Sequence, residues 1–321
     1  MDITIDALRG IQPDPILSGF AMDTPAKGFV ADRLFKPATP SGHAVSLFDW
    51  GKQGLKPLVG TLVTDRTTEI ASFGIDAPTK DTVLVEPHAM SVPFNAFSVD
   101  KAMEAESGAI DLVQRKIQTL TNQWNTTKEV FAAALMASAA IFDAGFSNIT
   151  DIASAKWNTA NGKPVDNINA AKEKMVLRTG VIPNKLLLSF SAANALRTNA
   201  QITGLNPSTQ SGVTTLEQIR AYLELDEIIV TTAIKNTAKK GQADALAWGW
   251  PSVDAILYYE APVLNEETRT FALNVPWSKW LGVQGWMEQG ESKLLSKYTQ
   301  VECLRYMVAD NLCGEKLTNV I

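Results

Sequence analysis

The sequence has few of the residues that most often carry chemistry. Its 321 residues include only two cysteines and two histidines. Cys303 and Cys313 lie ten positions apart without a CxxC spacing or a nearby histidine, so we expect two reduced, buried thiols. Lys plus Arg number 29 against 34 Asp plus Glu, a net charge of −5. The basic excess that drives non-specific nucleic-acid binding is therefore missing.

Long apolar runs are also missing. The longest weakly polar stretch is residues 130–142, whereas a membrane-spanning helix needs about 20 residues. The first twelve residues carry Asp2, Asp6 and Arg9 around short apolar pieces, unlike an export signal. With 45% hydrophobic and 20% charged residues, the composition is that of a globular protein with a sizeable core. We expect a soluble protein without a membrane partner.

No common catalytic motif occurs in the sequence. It contains no phosphate-binding P-loop, no GxGxxG dinucleotide turn, no GxSxG nucleophile elbow and no HExxH metal pair. His88, two residues after Glu86, could form half of a metal or acid/base site, but a solvated turn histidine is the simpler interpretation. We therefore expect no enzyme, no catalytic residue, no metal and no cofactor.

Two segments are unable to bury their apolar residues by themselves. Residues 1–44 place five prolines between short apolar clusters, which predicts an extended N-terminal arm. Residues 45–93 contain β-type runs broken by Gly and Pro, which predicts a long two-stranded ribbon. A two-stranded ribbon is marginal alone. Both segments must pack on the rest of the chain or on a neighbouring molecule.

A long helix is predicted next. Residues 109–142 contain no proline and repeat apolar residues at spacings of three, four or seven, as in one helix of roughly 50 Å. The alternative is a break at Asn125, because Thr126 to Glu129 match a capping box that could open a second helix.

Residues 157–262 predict a compact α/β unit, because helical and strand patterns alternate there. The predicted elements are helices at 164–179, 192–198 and 215–223, strands at 185–190 and 227–232, and a strand pair at 245–250 and 254–260. The pair is expected to turn at Pro251 and Ser252. Residues 301–308 predict a further strand that returns to the body of the fold.

Five of the eight tryptophans lie between positions 248 and 286. Core packing is the simplest role for such rings. Trp277 and Trp280 stand in a loop-like context, which is compatible with contact between molecules.

Several short motifs occur in a recognisable order. Residues 28–37 read GFVADRLFKP, residues 129–132 read EVFA, and residues 178–188 read RTGVIPNKLLL after Trp157 and Pro164. This order over about 220 residues resembles tailed-phage major capsid proteins, whose Hong Kong 97-type fold encapsulin shells share. Each motif is weak alone, and the ordered set carries the resemblance.

The resemblance implies an α+β Hong Kong 97-type capsid fold. Its parts would be an N-terminal arm (1–44), an extended β-hairpin loop (45–93), a peripheral domain with a long spine helix (94–156), an α/β axial domain (157–262) and a return to peripheral β-strands (263–321). It also implies a coat subunit that assembles with itself, as pentamers and hexamers, into the icosahedral head around the double-stranded DNA of a tailed phage. Scaffolding and portal proteins would be partners, and DNA would be contacted weakly and non-specifically. Synthesis in the host cytoplasm would precede incorporation into the virion.

An arm and a ribbon that cannot bury their own apolar side chains are expected to pack on neighbouring subunits and so to hold those subunits together. The coat interpretation therefore predicts that residues 29–35 and 58–85 reach outside their own subunit. The candidate inter-subunit contacts are Phe29, Leu34, Phe35, Trp50, Arg66, Trp277 and Trp280. Two alternatives stay open, an encapsulin-like nanocompartment shell and an enzyme with an unrecognised site.

Overall fold

The structure is a computed structural model that describes residues 28–38, 44–49, 79–95, 108–138, 141–142, 148–204, 214–239, 242–251, 254–264, 268–277, 282–287 and 295–321. Within these ranges the helices are α1 (Ala31–Leu34), α2 (Gly108–Ala137), α3 (Pro164–Thr179), α4 (Phe190–Thr198), α5 (Ala200–Thr203) and α6 (Leu216–Tyr222). The strands are β1 (Lys36–Pro37), β2 (Ala44–Asp49), β3 (Thr79–Leu84), β4 (Glu86–Asn95), β5 (Ile149–Asp151), β6 (Lys185–Ser189), β7 (Glu227–Thr231), β8 (Ile234–Asn236), β9 (Leu246–Trp248), β10 (Ala255–Tyr258), β11 (Ala272–Pro276), β12 (Gly282–Met287), β13 (Leu295–Val308) and β14 (Gly314–Thr318).

The strands form two five-stranded sheets and two separate pairs within the described residues. The first sheet runs in the order β1-β11-β13-β12, with β4 also paired to β13. The second sheet runs β5-β14-β10-β6-β7. Its parallel pair β6 and β7 is joined through helices, as a parallel connection requires. The predicted α+β class is confirmed.

The long helix is continuous. α2 spans 30 residues, or roughly 45 Å. The Thr126 and Thr127 hydroxyls donate to the carbonyls of Asn122 and Gln123 at 2.9 and 2.8 Å, so they bond back along the same helix and do not cap a new one. The single-helix prediction is confirmed, although the helix ends at Ala137, and the break at Asn125 is wrong. We call α2 the spine helix.

Local end signals explain why the predicted helices of the α/β unit are found within two residues of their bounds. α3 begins with Pro164 and ends at Gly180, whose φ of 75° is the left-handed conformation that favours glycine. Ser189 caps α4. Thr215 and Gln218 form a reciprocal capping box at the start of α6.

One expectation about strand pairing is wrong. β9 pairs with β8 and not with β10, because the fully buried β10 (AILY) fills the middle of the second sheet between β14 and β6. The second sheet also includes β5, which pairs with β14. The division of the chain into domains stays a prediction.

The second sheet is buried on both faces. Leu186 and Leu188 of β6 contribute to a cluster with Trp157, Ile168 and Leu257. The intervening side chain, Leu187, contributes to another cluster whose members come from the arm, the spine helix and both sheets, including Phe35, Met136, Tyr258 and Phe271. This second cluster unites the two halves of the subunit in one core. Cys303 and Cys313 are buried and form no disulfide bond, as predicted.

Close packing at Gly314 gives a first testable prediction. A Cβ at this position would lie 2.2 Å from the Phe271 ring, so Gly314→Ala should destabilise the subunit by about 2 kcal/mol through overpacking. Gly180→Ala is the matched control, because a Cβ there meets nothing within 4 Å and only the left-handed backbone costs about 1 kcal/mol. Urea unfolding of both variants checks the difference. Equal destabilisation would contradict the packing described for Phe271.

Candidate functional site

The arm segment, residues 28–38, docks on the spine helix through one buried carboxylate. Oε1 of Glu129 accepts hydrogen bonds from the backbone N–H groups of Val30 and Ala31 at 2.5 and 2.6 Å. Oε2 accepts from the indole N–H of Trp250 at 2.5 Å. Only 1% of Glu129 is exposed. We call residues 28–38 together with Lys128, Glu129 and Trp250 the arm–helix joint.

The local sequence explains why Glu129 is needed. α1 is a single turn, and the first N–H groups of a helix have no acceptor within it. Val30 occupies the N-cap position but has no side-chain oxygen, and no side-chain cap bond forms there. Glu129 supplies the missing acceptor from another helix, and its negative charge lies at the helix end that favours an anion.

Burial and hydrogen bonding act in opposite directions on the pKa of Glu129. Burial raises the pKa of Glu129 above its usual value, and the three donated hydrogen bonds counter only part of that rise. The hydrogen-bond partners of Glu129 among the described residues are all uncharged N–H groups. Glu129 itself is therefore held by oriented N–H dipoles rather than by an ion pair.

A second group of polar side chains surrounds Asp32 of α1. The hydroxyl of Tyr306 donates to Asp32 at 2.6 Å, and the Lys128 ammonium lies 3.2 Å from the same carboxylate. Lys128 also lies 3.7 Å from Glu302, which accepts the indole N–H of Trp124. Burial, with Asp32 beside it, raises the pKa of Tyr306. These contacts tie the arm segment, the spine helix and β13 together.

The arm segment is also tied to the second sheet. Arg33 pairs with Glu227 at the start of β7. Lys185 at the start of β6 bridges Glu227 at 3.1 Å and Glu260 at 2.8 Å. Further along, the ammonium of Lys36 donates to the carbonyl of Pro262 at 2.6 Å. The segment thus bridges the spine helix and the α/β unit.

Two candidate inter-subunit residues need correction. Leu34 and Phe35 are fully buried in their own subunit, where the Phe35 ring lies 4.7 Å from the ring of Tyr306. Their side chains have no surface left for a neighbour. The expectation that residues 29–35 reach outside the subunit is therefore wrong for these two, because their side chains pack on their own chain.

The remaining candidates stay predictions. Phe29 is half-buried at the edge of the shared core. Trp277 is half-buried beside Val275 and Cys303, and its backbone N–H donates to the carbonyl of Cys303 at 2.9 Å. Trp50, Arg66 and Trp280 lie outside the described residues.

His88 is not a turn histidine. It lies on β4, half-buried, with ring centroids 5.5 Å from Trp124 and 5.7 Å from Phe131. Its role is to pack the first sheet against the spine helix. No group of three metal-ligating side chains occurs in the part of the chain that the structure describes.

Comparison with known proteins shows which proteins this chain is similar to. The chain is 24% identical to the major capsid protein of Burkholderia phage BcepMu over 239 residues, 74% of this chain and 73% of that one. A phage-related protein from Bordetella bronchiseptica RB50 superposes with a TM-score of 0.72 at 20% identity, covering 97% and 98% of the two chains. A protein assigned as the capsid protein of a prophage of E. coli CFT073 superposes with a TM-score of 0.56 at 12% identity, covering 96% and 99%. No protein-family model matches the sequence.

The chain has the Hong Kong 97-type capsid fold. The resemblance to tailed-phage major capsid proteins expected from the sequence is confirmed. In this capsid fold, the arm motif GFVADRLFKP and the EVFA segment of the spine helix, some 100 positions apart, meet at the arm–helix joint. A search of the described helices finds none long and apolar enough to cross a membrane.

Proposed function

We propose that this chain is the major capsid protein of a tailed phage, which assembles with itself into the icosahedral head that encloses double-stranded DNA. The observation that carries the proposal is similarity along the chain. A named major capsid protein matches three quarters of it, and capsid-fold structures superpose on nearly all of it. Such a protein functions through contacts between its subunits rather than through catalysis, so its role is structural.

The pairing of β2 with β3 is compatible with this role. The two strands run antiparallel with Asp49 opposite Thr79, as expected for the base of the β-hairpin loop that the sequence predicts. Trp50 and Arg66 of that predicted loop, together with Phe29, Trp277 and Trp280, are the candidates for contacts with neighbouring subunits. The arm–helix joint fixes the arm segment in the subunit before any neighbour is met.

The partners follow from the role. Other copies of the chain, arranged as pentamers and hexamers, form the shell, and scaffolding and portal proteins direct its closure. DNA is contacted weakly and non-specifically, because a net charge of −5 gives little attraction for phosphate. The protein is made in the host cytoplasm and ends in the virion.

The mass of the purified protein tests the proposal. We expect gel filtration with light scattering to give capsomer-sized hexamers or larger shells, because a subunit that covers little of its contact surface by itself associates with its copies. A stable monomer or small oligomer at every concentration would contradict the proposal and favour an enzyme. Particles that co-purify with a cargo protein, detected by mass spectrometry, would favour the encapsulin-like alternative.

A further inference from the structure

The short strand pair β8 and β9 presents an unusual surface. Ile234 lies opposite Trp248, and Asn236 lies opposite Leu246, so these four side chains share one face of the pair. Ile234, Leu246 and Trp248 are 53%, 71% and 45% exposed. On the other face Lys235 and Ala247 are half-buried. An antiparallel pair with one wet face ordinarily turns its apolar side inward, and here the apolar side is turned outward.

Phe190, the first residue of α4, extends this surface. It is exposed, and its ring stacks on Trp248 with centroids 6.0 Å apart and planes inclined by 23°. We call Phe190, Ile234, Leu246 and Trp248 the hairpin patch. Contiguous exposed apolar residues of this kind often mark an interaction site, whereas single scattered ones do not.

The patch is held in shape before anything binds it. The side-chain oxygen of Asn236 accepts from the N–H groups of Ala238 and Ala245 at 3.0 and 3.1 Å, and its amide donates to Asp244 at 2.8 Å. The N–H of Gly249 donates to the carbonyl of Ala233 at 2.8 Å. A surface fixed in this way loses little conformational freedom on association.

The size of the patch indicates what covers it. Four side chains with these exposures present on the order of 400 Å² of apolar surface, about half of what one partner contributes to a stable pairwise complex. A contact of that size is too small alone but suffices where each subunit meets several copies at once. We propose that a second copy of this chain covers the hairpin patch in the assembled shell, an inference that rests on the proposed function.

Charge insertion at the centre of the patch tests the proposal. Leu246→Glu should reduce the yield of assembled particles at least about tenfold, because a buried, unpaired charge opposes the contact. The matched control is Leu177→Glu on α3, at a position that is 91% exposed and lies outside the patch. We expect the control to assemble like the wild type. Thermal melting of both unassembled variants should match the wild type, since both side chains are exposed.

The outcomes separate this inference from the proposed function. If the wild type forms no particles, the proposed function fails. If the wild type assembles and Leu246→Glu assembles equally well, only the hairpin contact is wrong, and the patch serves a different protein or none. Equal loss of assembly in both variants would also contradict it, since the effect would then come from added charge in general.

Thiol labelling provides a second measurement that does not depend on disrupting assembly. The chain's own cysteines are buried, so a maleimide reports on an introduced surface thiol. In Leu246→Cys particles we expect labelling at least about tenfold slower than in free subunits, because the partner excludes the reagent, while Leu177→Cys stays reactive. An unchanged labelling rate at position 246, or equal protection of both positions, would overturn the proposal.

Discussion

Replacing Glu129 with alanine should lower the free energy of unfolding of the subunit by about 4 kcal/mol. The substitution removes the acceptor of two backbone N–H groups and one indole N–H. Those donors stay buried, and each then loses a partner without gaining water. Urea unfolding of the unassembled subunit measures the loss, and limited proteolysis within residues 28–38 should show that the arm segment opens first.

Glu129→Gln is the matched variant. Glutamine retains one carbonyl oxygen for Val30 and Ala31 but turns its amide toward the indole N–H of Trp250, so one hydrogen bond is lost. Removal of a buried charge offsets part of that loss, and we expect a cost of about 1 kcal/mol. If the alanine and glutamine substitutions lower the free energy of unfolding equally, Glu129 is not the acceptor that holds the arm segment.

The stability of the wild type and that of Glu129→Gln should also depend differently on pH. Burial raises the pKa of Glu129, so the folded subunit binds this proton more tightly than the unfolded chain does. The resulting stabilisation is complete below the ordinary pKa of 4.5 and is lost as pH rises through the raised value. We therefore expect wild-type stability to fall relative to Glu129→Gln as the pH rises above 4.5. The opposite slope would mean that the donated hydrogen bonds outweigh burial.

Arg178→Met should lower the free energy of unfolding of the subunit by about 4 kcal/mol. Arg178 lies 3.0 Å from Glu315 in an ion pair whose side chains are 10% and 0% exposed. Its guanidinium also donates to the carbonyls of Leu312 and Gly314 at 2.9 and 3.1 Å. Removing the arginine leaves a buried carboxylate without its cation and frees the end of β14 from α3. Urea unfolding measures the effect.

A double-mutant cycle separates the ion pair from simple packing. Glu315→Met removes the other charge, and the Arg178→Met/Glu315→Met protein buries no uncompensated charge. We expect the double variant to be at least about 2 kcal/mol more stable than the sum of the single losses predicts. Additive losses would show that the two charges are not energetically coupled.

The sequence predicted those elements whose signals are local. The helix α3 has proline at its start and glycine after its end, and the spine helix has an uninterrupted apolar repeat; both were found. The order of motifs was enough to predict the capsid fold. The pairing of β9 was mispredicted because the turn at Pro251 suggested β10 as its neighbour. The burial of every residue in β10 requires partners on both sides, which no local signal specifies.

The arm–helix joint was visible only in part. Glu129 stands among the apolar positions of the spine helix that carry Trp124, Ala132 and Met136, all buried. A carboxylate on such a face requires buried donors, which is a signal in the sequence. The donors lie 98, 99 and 121 positions away in the sequence, so only the three-dimensional structure could identify them. The environment of His88 was missed because the two prolines of β4 weaken its strand pattern.

The burial of Leu34 and Phe35 limits which surfaces could make the contacts between subunits that the proposed function requires. The arm segment gains its stability inside its own subunit, through Glu129 and the shared core. Under the proposed function, we expect contacts with neighbouring copies at other surfaces, namely the hairpin patch and the predicted candidates Phe29, Trp50, Arg66, Trp277 and Trp280.

Electron microscopy of the purified protein is the most direct test of a shell-forming role. We expect closed, icosahedral particles, with subunits whose fold fits the density and whose hairpin patches are covered by neighbouring copies. A field of isolated small oligomers under every assembly condition tried, with no closed particle, would contradict that role.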